Sequence, residues 1–441
     1  MMRLHRTTVL ARIHNALAPV AVTGMFVVAA ACGSGTGPNT GKLAVTVIVP
    51  AGITPNVTVS GPHGYTRTVS ATTMLSGLAA GSYTVSARVV ATTDAIVPTV
   101  YAAGISGSPA AVPAFGTPPT VTVSYAERPG SGGLWIANFH SSPTVVRYSA
   151  AQLATTMSAA PATAIATGGG GDVGAAFDRD GDLWVTLATN NSIMEFTASQ
   201  LATSSAPTPA VSLTATAGSL NDPTGLAFDA DGNLWVANTG ANTLVEFSAG
   251  QLTSSGRPTP TVTIKAASGS LHSPIGIAFD HSGDLWVANS LGNTLAEFAP
   301  GQRTASGAPK PAVTLSDKSN SISGPVMLAF DATGTLWVTN GDLNQNTVVA
   351  FAVSALAASG SPTPIVTLSG STLHNPAGLA FDASGNLWIS NIGSSTVIEF
   401  AASQLVTSGT PTPNTSITGS SVLNPFGLAF DPSDARLPIT P

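Results

Sequence analysis

From about Ser131 onward, apolar residues fall into short runs of four or five positions that recur at a fixed interval. One unit reads GLAFD (Gly225–Asp229), LWVAN (Leu234–Asn238), TLVEF (Thr243–Phe247) and TVTI (Thr261–Ile264). Runs this short, rich in β-branched and aromatic residues and bounded by turn residues, predict strands. DADG (Asp229–Gly232) has the composition of a tight hairpin. NTGAN (Asn238–Asn242) predicts a longer turn built from residues that tolerate positive φ. SAGQLTSSGRPTP then leads the chain outward, with one helical turn expected at SAGQL.

The interval is set by tryptophan. Trp135, Trp184, Trp235, Trp286, Trp337 and Trp388 are all the tryptophans of the chain, and successive ones lie 49, 51, 51, 51 and 51 residues apart. A period near 50 with four strand-like runs per unit predicts a propeller or a related array. The ends choose the topology. The first unit opens at LWIAN with no GLAFD before it, and the last GLAFD (Gly427–Asp431) has no LW run after it. A C-terminal strand that completes the first unit would close the ring and remove both sheet edges. The expected architecture is all-β: a six-bladed β-propeller over 134–441, closed by the C-terminal strand. Each tryptophan holds one repeat position inside a strand, which predicts blade core, not a sugar-stacking surface.

The phrases P-x-G-[LI]-A-F-D and G-[ND]-L-W-V-[AT]-N resemble those of NHL-repeat and gluconolactonase-like β-propellers and, more loosely, streptogramin lyases. The resemblance covers about 300 residues. It implies a propeller but no single chemistry, because propellers host many.

Ahead of the repeats, KLAVTVIVP, NVTVSGP, YTRTVSA, SYTVSARVV and PTVTVSYA alternate with period two, separated by turns such as Gly61-Pro62 and Gly81-Ser82. Such spacing predicts a small β-sandwich over 42–127, joined to the repeats by a linker at 128–133. MLSGLAAGSYTVSARVV resembles prealbumin-like and carboxypeptidase-regulatory-like modules, which implies a spacer. The first 31 residues have a basic start and an apolar stretch from about Leu17 to Ala31, as in a cleaved export signal. Ala29-Ala30-Ala31-Cys32 resembles the lipobox of bacterial lipoproteins, and Cys32 is the only cysteine. That resemblance implies acylation of Cys32 and anchoring by lipid alone, with residues 32–41 as a flexible tether. The expected location is beyond the inner membrane, on the periplasmic side or cell surface. Gly33 after the cysteine does not resemble the signal for inner-membrane retention.

Composition narrows the partners. Charged residues are only 8 % of the chain, against 43 % hydrophobic ones. Without Arg3, Arg6 and Arg12 the 15 basic residues become 12, against 21 acidic, a net −9. Twelve scattered cations supply no basic stripe, so nucleic acid is excluded as a partner. An envelope protein or a small polar ligand is expected instead, with the chain a monomer.

Candidate chemistry converges on one rim. By resemblance, the loops entering the first strands and leaving the second strands surround the channel on one face. Asn138, Asn238, Asn289, Asn340 and Asn391 end the second strands, with Leu187 the exception. Asp172, Asn221, Asp222, His272, Ser273, His374, Asn375 and Asn424 precede the first strands. These offer oxygen and imidazole donors for a polar ligand or one divalent cation, the only cofactor for which the chain has candidates; His272, His374 and Asp222 are the candidate metal ligands. The bland alternative is that each asparagine caps its own turn. No glutamate stands at the channel to match the gluconolactonase-like metal site. Glu195, Glu246, Glu297 and Glu399 instead share a position on the third strand, where the other two units carry Arg147 and Ala350. DRDGD (Asp178–Asp182) lacks the later glutamate of a calcium loop, and GGGG (Gly168–Gly171) lacks the lysine and helix of a phosphate loop. The expected role is binding or scaffolding. A metal-dependent hydrolase or lyase using His272, His374 and Asp222 is the alternative, and a structural protein without a small ligand the third.

Overall fold

A computed structural model describes residues 40–49, 54–87, 90–91, 100–114, 116–127, 132–139, 144–169, 171–214, 218–265, 269–316, 321–341 and 345–431. The expected export signal, Cys32 and most of the expected tether lie outside these residues. Among the described residues the regular structure is mostly strand, with only single turns of helix between strands.

The repeats form six four-stranded antiparallel sheets, numbered here by their tryptophans. The third is representative: Pro223–Phe228, Leu234–Asn238, Thr243–Phe247 and Val262–Lys265, in that order from the inside outward. The innermost strand starts at Pro223, two residues before the predicted run, and its pairing with the second strand shifts register between Pro223 and Leu226. The expected helical turn is a 3-10 turn at Ala249–Leu252.

One aspartate organises each hairpin. Asp229 Oδ1 accepts the backbone N–H groups of Asp231 (3.0 Å) and Asn233 (2.9 Å). Its Oδ2 accepts from the Trp235 indole at 3.1 Å. Side-chain acceptance of this kind shapes the turn, and Gly232 takes the positive φ (+81°) that the turn needs. The same bond holds every tryptophan: Trp184 to Asp178, Trp286 to Asp280, Trp337 to Asp331 and Trp388 to Asp382, at 2.9–3.2 Å. The sixth joins the two ends of the repeat region, Trp135 to Asp431 at 2.7 Å.

Packing runs between sheets. The tryptophans are 0–2 % exposed, and five of the six meet the phenylalanine that ends the next innermost strand edge-to-face, as Trp184 meets Phe228 at 6.0 Å. Six apolar cores result, each shared by two neighbouring sheets. One of them joins Trp388 and Val397 of the sixth sheet to Leu134, Ile136 and Tyr148 of the first. Each innermost strand lies against the next, and Pro425–Phe430 lies against both Pro376–Phe381 and Asp172–Phe177. The approach demands glycine: a Cβ on Gly225 would stand 2.3 Å from the Ile275 carbonyl oxygen, and one on Gly427 2.4 Å from that of Val173.

The first sheet takes its outer three strands from Leu134–Ala166 and its innermost, Pro425–Phe430, from the other end. Arg147, where other sheets carry glutamate, clamps Asp431 through Nη2 at 2.6 Å. Asp431 thereby binds the Gly133 amide, the Trp135 indole and Arg147 together.

Residues 40–127 form a five-stranded and a four-stranded sheet around one apolar core, from Leu43, Val45 and Val123 on one side to Val57, Val59 and Tyr83 on the other. Thr40–Ile48 pairs parallel with Thr120–Glu127, which ties the two ends of this region together.

Candidate functional site

The rim loops are held by the five asparagines. Asn238 is 0 % exposed. Its Oδ1 accepts the Asn221 amide at 3.3 Å, while its Nδ2 donates to the Ser219 carbonyl (2.8 Å) and the Thr243 hydroxyl (3.2 Å). Asn289, Asn340 and Asn391 repeat this pattern on Ser270, Ser321 and Thr372, and Asn138 does so across the seam on Ser421 and Leu423. A buried amide gains most when both its ends are bonded. These side chains therefore hold the loop that precedes the innermost strand, and they do so on every sheet that has one. They are latches beneath the rim, not groups presented above it.

Asp222, Ser273, Asn375 and Asn424 adopt positive φ (48–53°), each just before a proline. Their backbone N–H groups donate to a side chain on the preceding sheet: Asp222 to Asn191 (2.7 Å), Ser273 to Asn242 (2.6 Å), Asn375 to Asn346 (2.7 Å) and Asn424 to Ser395 (3.2 Å). Asn, Asp and Ser tolerate this left-handed backbone, which explains their choice here without a ligand.

Asn221, His272 and His374 are exposed at the rim. The backbone N–H groups of the two histidines are fixed to Asn289 and Asn391, which leaves the rings on the surface. Asp222, His272 and His374 stand on three different sheets. Among the described residues, the only set of three or more carboxylate or imidazole groups close enough to share an ion is Asp178, Asp182 and Glu195, so the three rim residues do not converge on one.

That carboxylate set lies at the opposite end of the sheets, in the hairpin of the second one. Burial pushes Glu195 up to about 8, with the charges of Asp182 and Asp178 adding to the effect. Burial likewise lifts Asp178 to about 6, opposed by the Trp184 indole bond. Asp182 occupies the position of Asn233 and Asn386, which donate to the hairpin aspartates of their own sheets (3.0 and 2.9 Å).

The second sheet departs from the others at the rim too. Asp172 takes the place of the proline and Leu187 that of the asparagine, and the two are paired in register. Asp172 is 0 % exposed, accepts from the Thr167 hydroxyl at 2.9 Å, and is lifted by burial to about 7. The Ser192 hydroxyl, where Thr243 meets its asparagine, is buried with no hydrogen-bond partner. Sequence reasoning missed three exposed apolar side chains at the rim, Phe139 (40 %), Leu291 (70 %) and Leu423 (38 %). Their signal was available: Phe139 and Leu423 adjoin Asn138 and Asn424, and Leu291 lies two residues beyond Asn289. Towards the hairpin end the innermost strands line a cavity of about 270 Å³ with apolar side chains such as Ala227, Phe228, Ala329 and Phe330. It offers no acid, base or metal ligand.

The NHL-repeat family model matches residues 220–247. No curated protein sequence matches the chain. Among solved structures, the chain is similar to a selenomethionine-substituted virginiamycin B lyase from Staphylococcus aureus, at 18 % identity over 55 % of this chain and 71 % of that one, with a TM-score of 0.37. A nidogen/laminin complex is similar at 14 % identity over 69 % and 99 %, TM-score 0.48. A streptogramin B lyase is similar at 12 % over 79 % and 94 %, TM-score 0.36. Likenesses of this extent say nothing about what the chain binds. The stretch matched by the family model, Leu220 to Phe247, holds the hairpin of the third sheet and the latching Asn238 with Asn221 and Thr243. The chain carries an NHL repeat, and the sheets that echo it are those of a β-propeller.

Proposed function

We propose that this chain is a lipid-anchored envelope protein whose six sheets are the blades of a closed propeller, carried on a β-sandwich spacer, and that the propeller rim binds another envelope protein. The cyclic contact of the innermost strands and the Trp135–Asp431–Arg147 seam support closure. Two sheets around one core support the sandwich, and the lipobox-like Ala29–Cys32 supports the anchor.

One observation carries the binding reading. Exposed Phe139 and Leu291 follow second strands, and exposed Leu423, Asn221, His272 and His374 stand on loops that the buried asparagine latches hold. Exposed apolar side chains among polar ones are what a protein interface presents, and loops braced by a scaffold place them without a large ordering cost. Photo-crosslinking from position 291 in intact cells should yield a discrete protein adduct. The same probe at Thr263, on the outermost strand of the third sheet, should yield none. Adducts from both positions alike would overturn the reading. So would one divalent metal per chain, lost in a His272→Ala/His374→Ala double variant of the chain beginning at Gly33, since that result belongs to the hydrolase or lyase alternative.

A further inference from the structure

The hairpin face, opposite the rim, carries six equivalent places, one between each pair of neighbouring sheets, and three of them open as clefts. Each is floored by the tryptophan of one sheet and the phenylalanine that ends the innermost strand of the next. The tryptophan's aspartate stands at one side. The third-strand residue stands beside it, because it pairs in register with the tryptophan, as Glu246 does with Trp235.

Between the third and fourth sheets the place is filled by the chain itself. Arg303 takes the repeat position that holds Leu153, Leu201, Leu252, Leu356 and Leu405 in the other sheets. It is 8 % exposed. Its guanidinium carbon lies 5.2 Å from the Trp235 ring centre and 4.9 Å from that of Phe279, between the two rings. Nη2 donates to the Gly283 carbonyl and Nε to that of Phe298 at 3.1 Å. Asp229, Asp284, Glu246 and Asp280 surround it and oppose the loss of basicity that burial imposes. Wedged there, it replaces the tryptophan–phenylalanine contact seen in the other five places.

The remaining places fall into two groups. Between the first and second sheets Arg147 occupies the glutamate position and is bonded to Asp431. Between the fifth and sixth that position is Ala350 and the second carboxylate is gone. In the other three the two rings meet each other, the tryptophan's aspartate and the glutamate are kept, leucine stands for Arg303, and Asn233, Thr335 and Gly133 stand where it has Asp284. The cleft of about 430 Å³ between the second and third sheets presents Trp184, Phe228, Asp178, Glu195 and Gly232, and Asn56 borders it. The one of about 600 Å³ between the fourth and fifth presents Trp286, Phe330, Asp280, Glu297 and Gly334. The one of about 340 Å³ between the sixth and first presents Trp388, Phe430, Asp382 and Glu399, with Asn414 bonded to Glu399 at 3.2 Å.

We infer that these three clefts are binding sites for guanidinium groups, and that they seat arginine side chains of a partner polypeptide as the fourth seats Arg303. A planar cation between two aromatic faces, with carboxylates and a carbonyl at its edge, suits guanidinium better than ammonium. The proposal concerns the face opposite the rim and does not depend on the rim reading.

The test is a calorimetric titration of the chain with a short blocked glycine peptide holding one arginine, beside the same peptide with citrulline and with lysine. Three equivalents of the arginine peptide are expected, weaker uptake of the lysine one and none of the citrulline one. Arg303→Leu restores the residue of the other repeats and should raise the count to four. Leu356→Arg should fill its cleft from within and lower it to two, as should Glu297→Gln, whose smaller change guards against misfolding. A count that none of the three substitutions moves would overturn the proposal. Equal uptake of the citrulline peptide would do the same. Uptake of one calcium ion at Asp178, Asp182 and Glu195 with no arginine peptide bound would replace it with a metal site.

Discussion

The second and third sheets have the same strands at the same spacing, and they solve the rim differently. In the third, Pro223, Asn238 and Thr243 form a line across three strands, the asparagine latching the loop and the threonine completing the amide's bonds. In the second, Asp172, Leu187 and Ser192 stand in that line. Leu187 fills the space over Gly169, Asp172 turns to Thr167, and Ser192 is left without a partner. Losing one residue of the latch removes the reason for the other two. The latch is thus a unit of three residues, and loop shape at the rim depends on it as much as on the strands.

The comparison can be broken first at what the two sheets share. Trp235→Ala should cost about 3–5 kcal/mol in denaturant unfolding, through a large cavity and an unbonded Asp229. Trp184→Ala should cost a similar amount, and unchanged midpoints would remove the tryptophans from the core. Next comes what they do not share. Asn238→Leu gives the third sheet the second sheet's residue without its altered loop, and should cost about 2–4 kcal/mol by stranding the Ser219 carbonyl, the Asn221 amide and the Thr243 hydroxyl.

The pH response separates the sheets more finely. Asp172 is lifted from the ordinary 3.8 to about 7, so between those values the folded chain holds a proton that the unfolded chain has released. Its contribution to stability is complete below about pH 4 and is lost as pH rises through about 7. Glu195 and Asp178 act in the same sense, so the quantity to measure is the difference between the parent and Asp172→Asn. The variant should lose part of the decline between pH 4 and 7; parallel curves would mean that Asp172 is not buried as described. Smallest is Ser192→Ala. Deleting a hydroxyl that has no partner should leave stability within about 0.5 kcal/mol or raise it slightly, whereas a loss above 1 kcal/mol would show that it is bonded after all.

Strands and sheets were legible because their signals are local. The tryptophan interval, the D-x-x-G hairpins and the missing first and last strands all lie in the order of residues. The asparagines were visible as a set, yet their role was open, because Asn238 bonds to residues 17 and 19 positions earlier that only the folded sheet brings back. The glutamates read as lying away from the axis, which holds, but their burial beside the tryptophans came from register: a hairpin of the NTGAN length pairs Trp235 with Glu246. Arg303 gave one clear signal, a cation at a position that is otherwise leucine. Its meaning appeared only with the Trp235 and Phe279 rings on either side, residues 68 and 24 positions away in the chain.

The seam at Asp431 also sets an order of events during synthesis. Strands Leu134–Asn138 and Thr144–Tyr148 emerge early, but their innermost neighbour, Pro425–Phe430, follows nearly 300 residues later. Until then the first sheet shows an open edge, and neither the Trp135 indole nor the Arg147 guanidinium has its carboxylate. Pairings so distant in sequence form slowly. The second to sixth sheets can assemble as they appear, whereas the first is completed only when its last strand arrives. A truncation before Pro425 would therefore leave five complete sheets and a first sheet with an open edge.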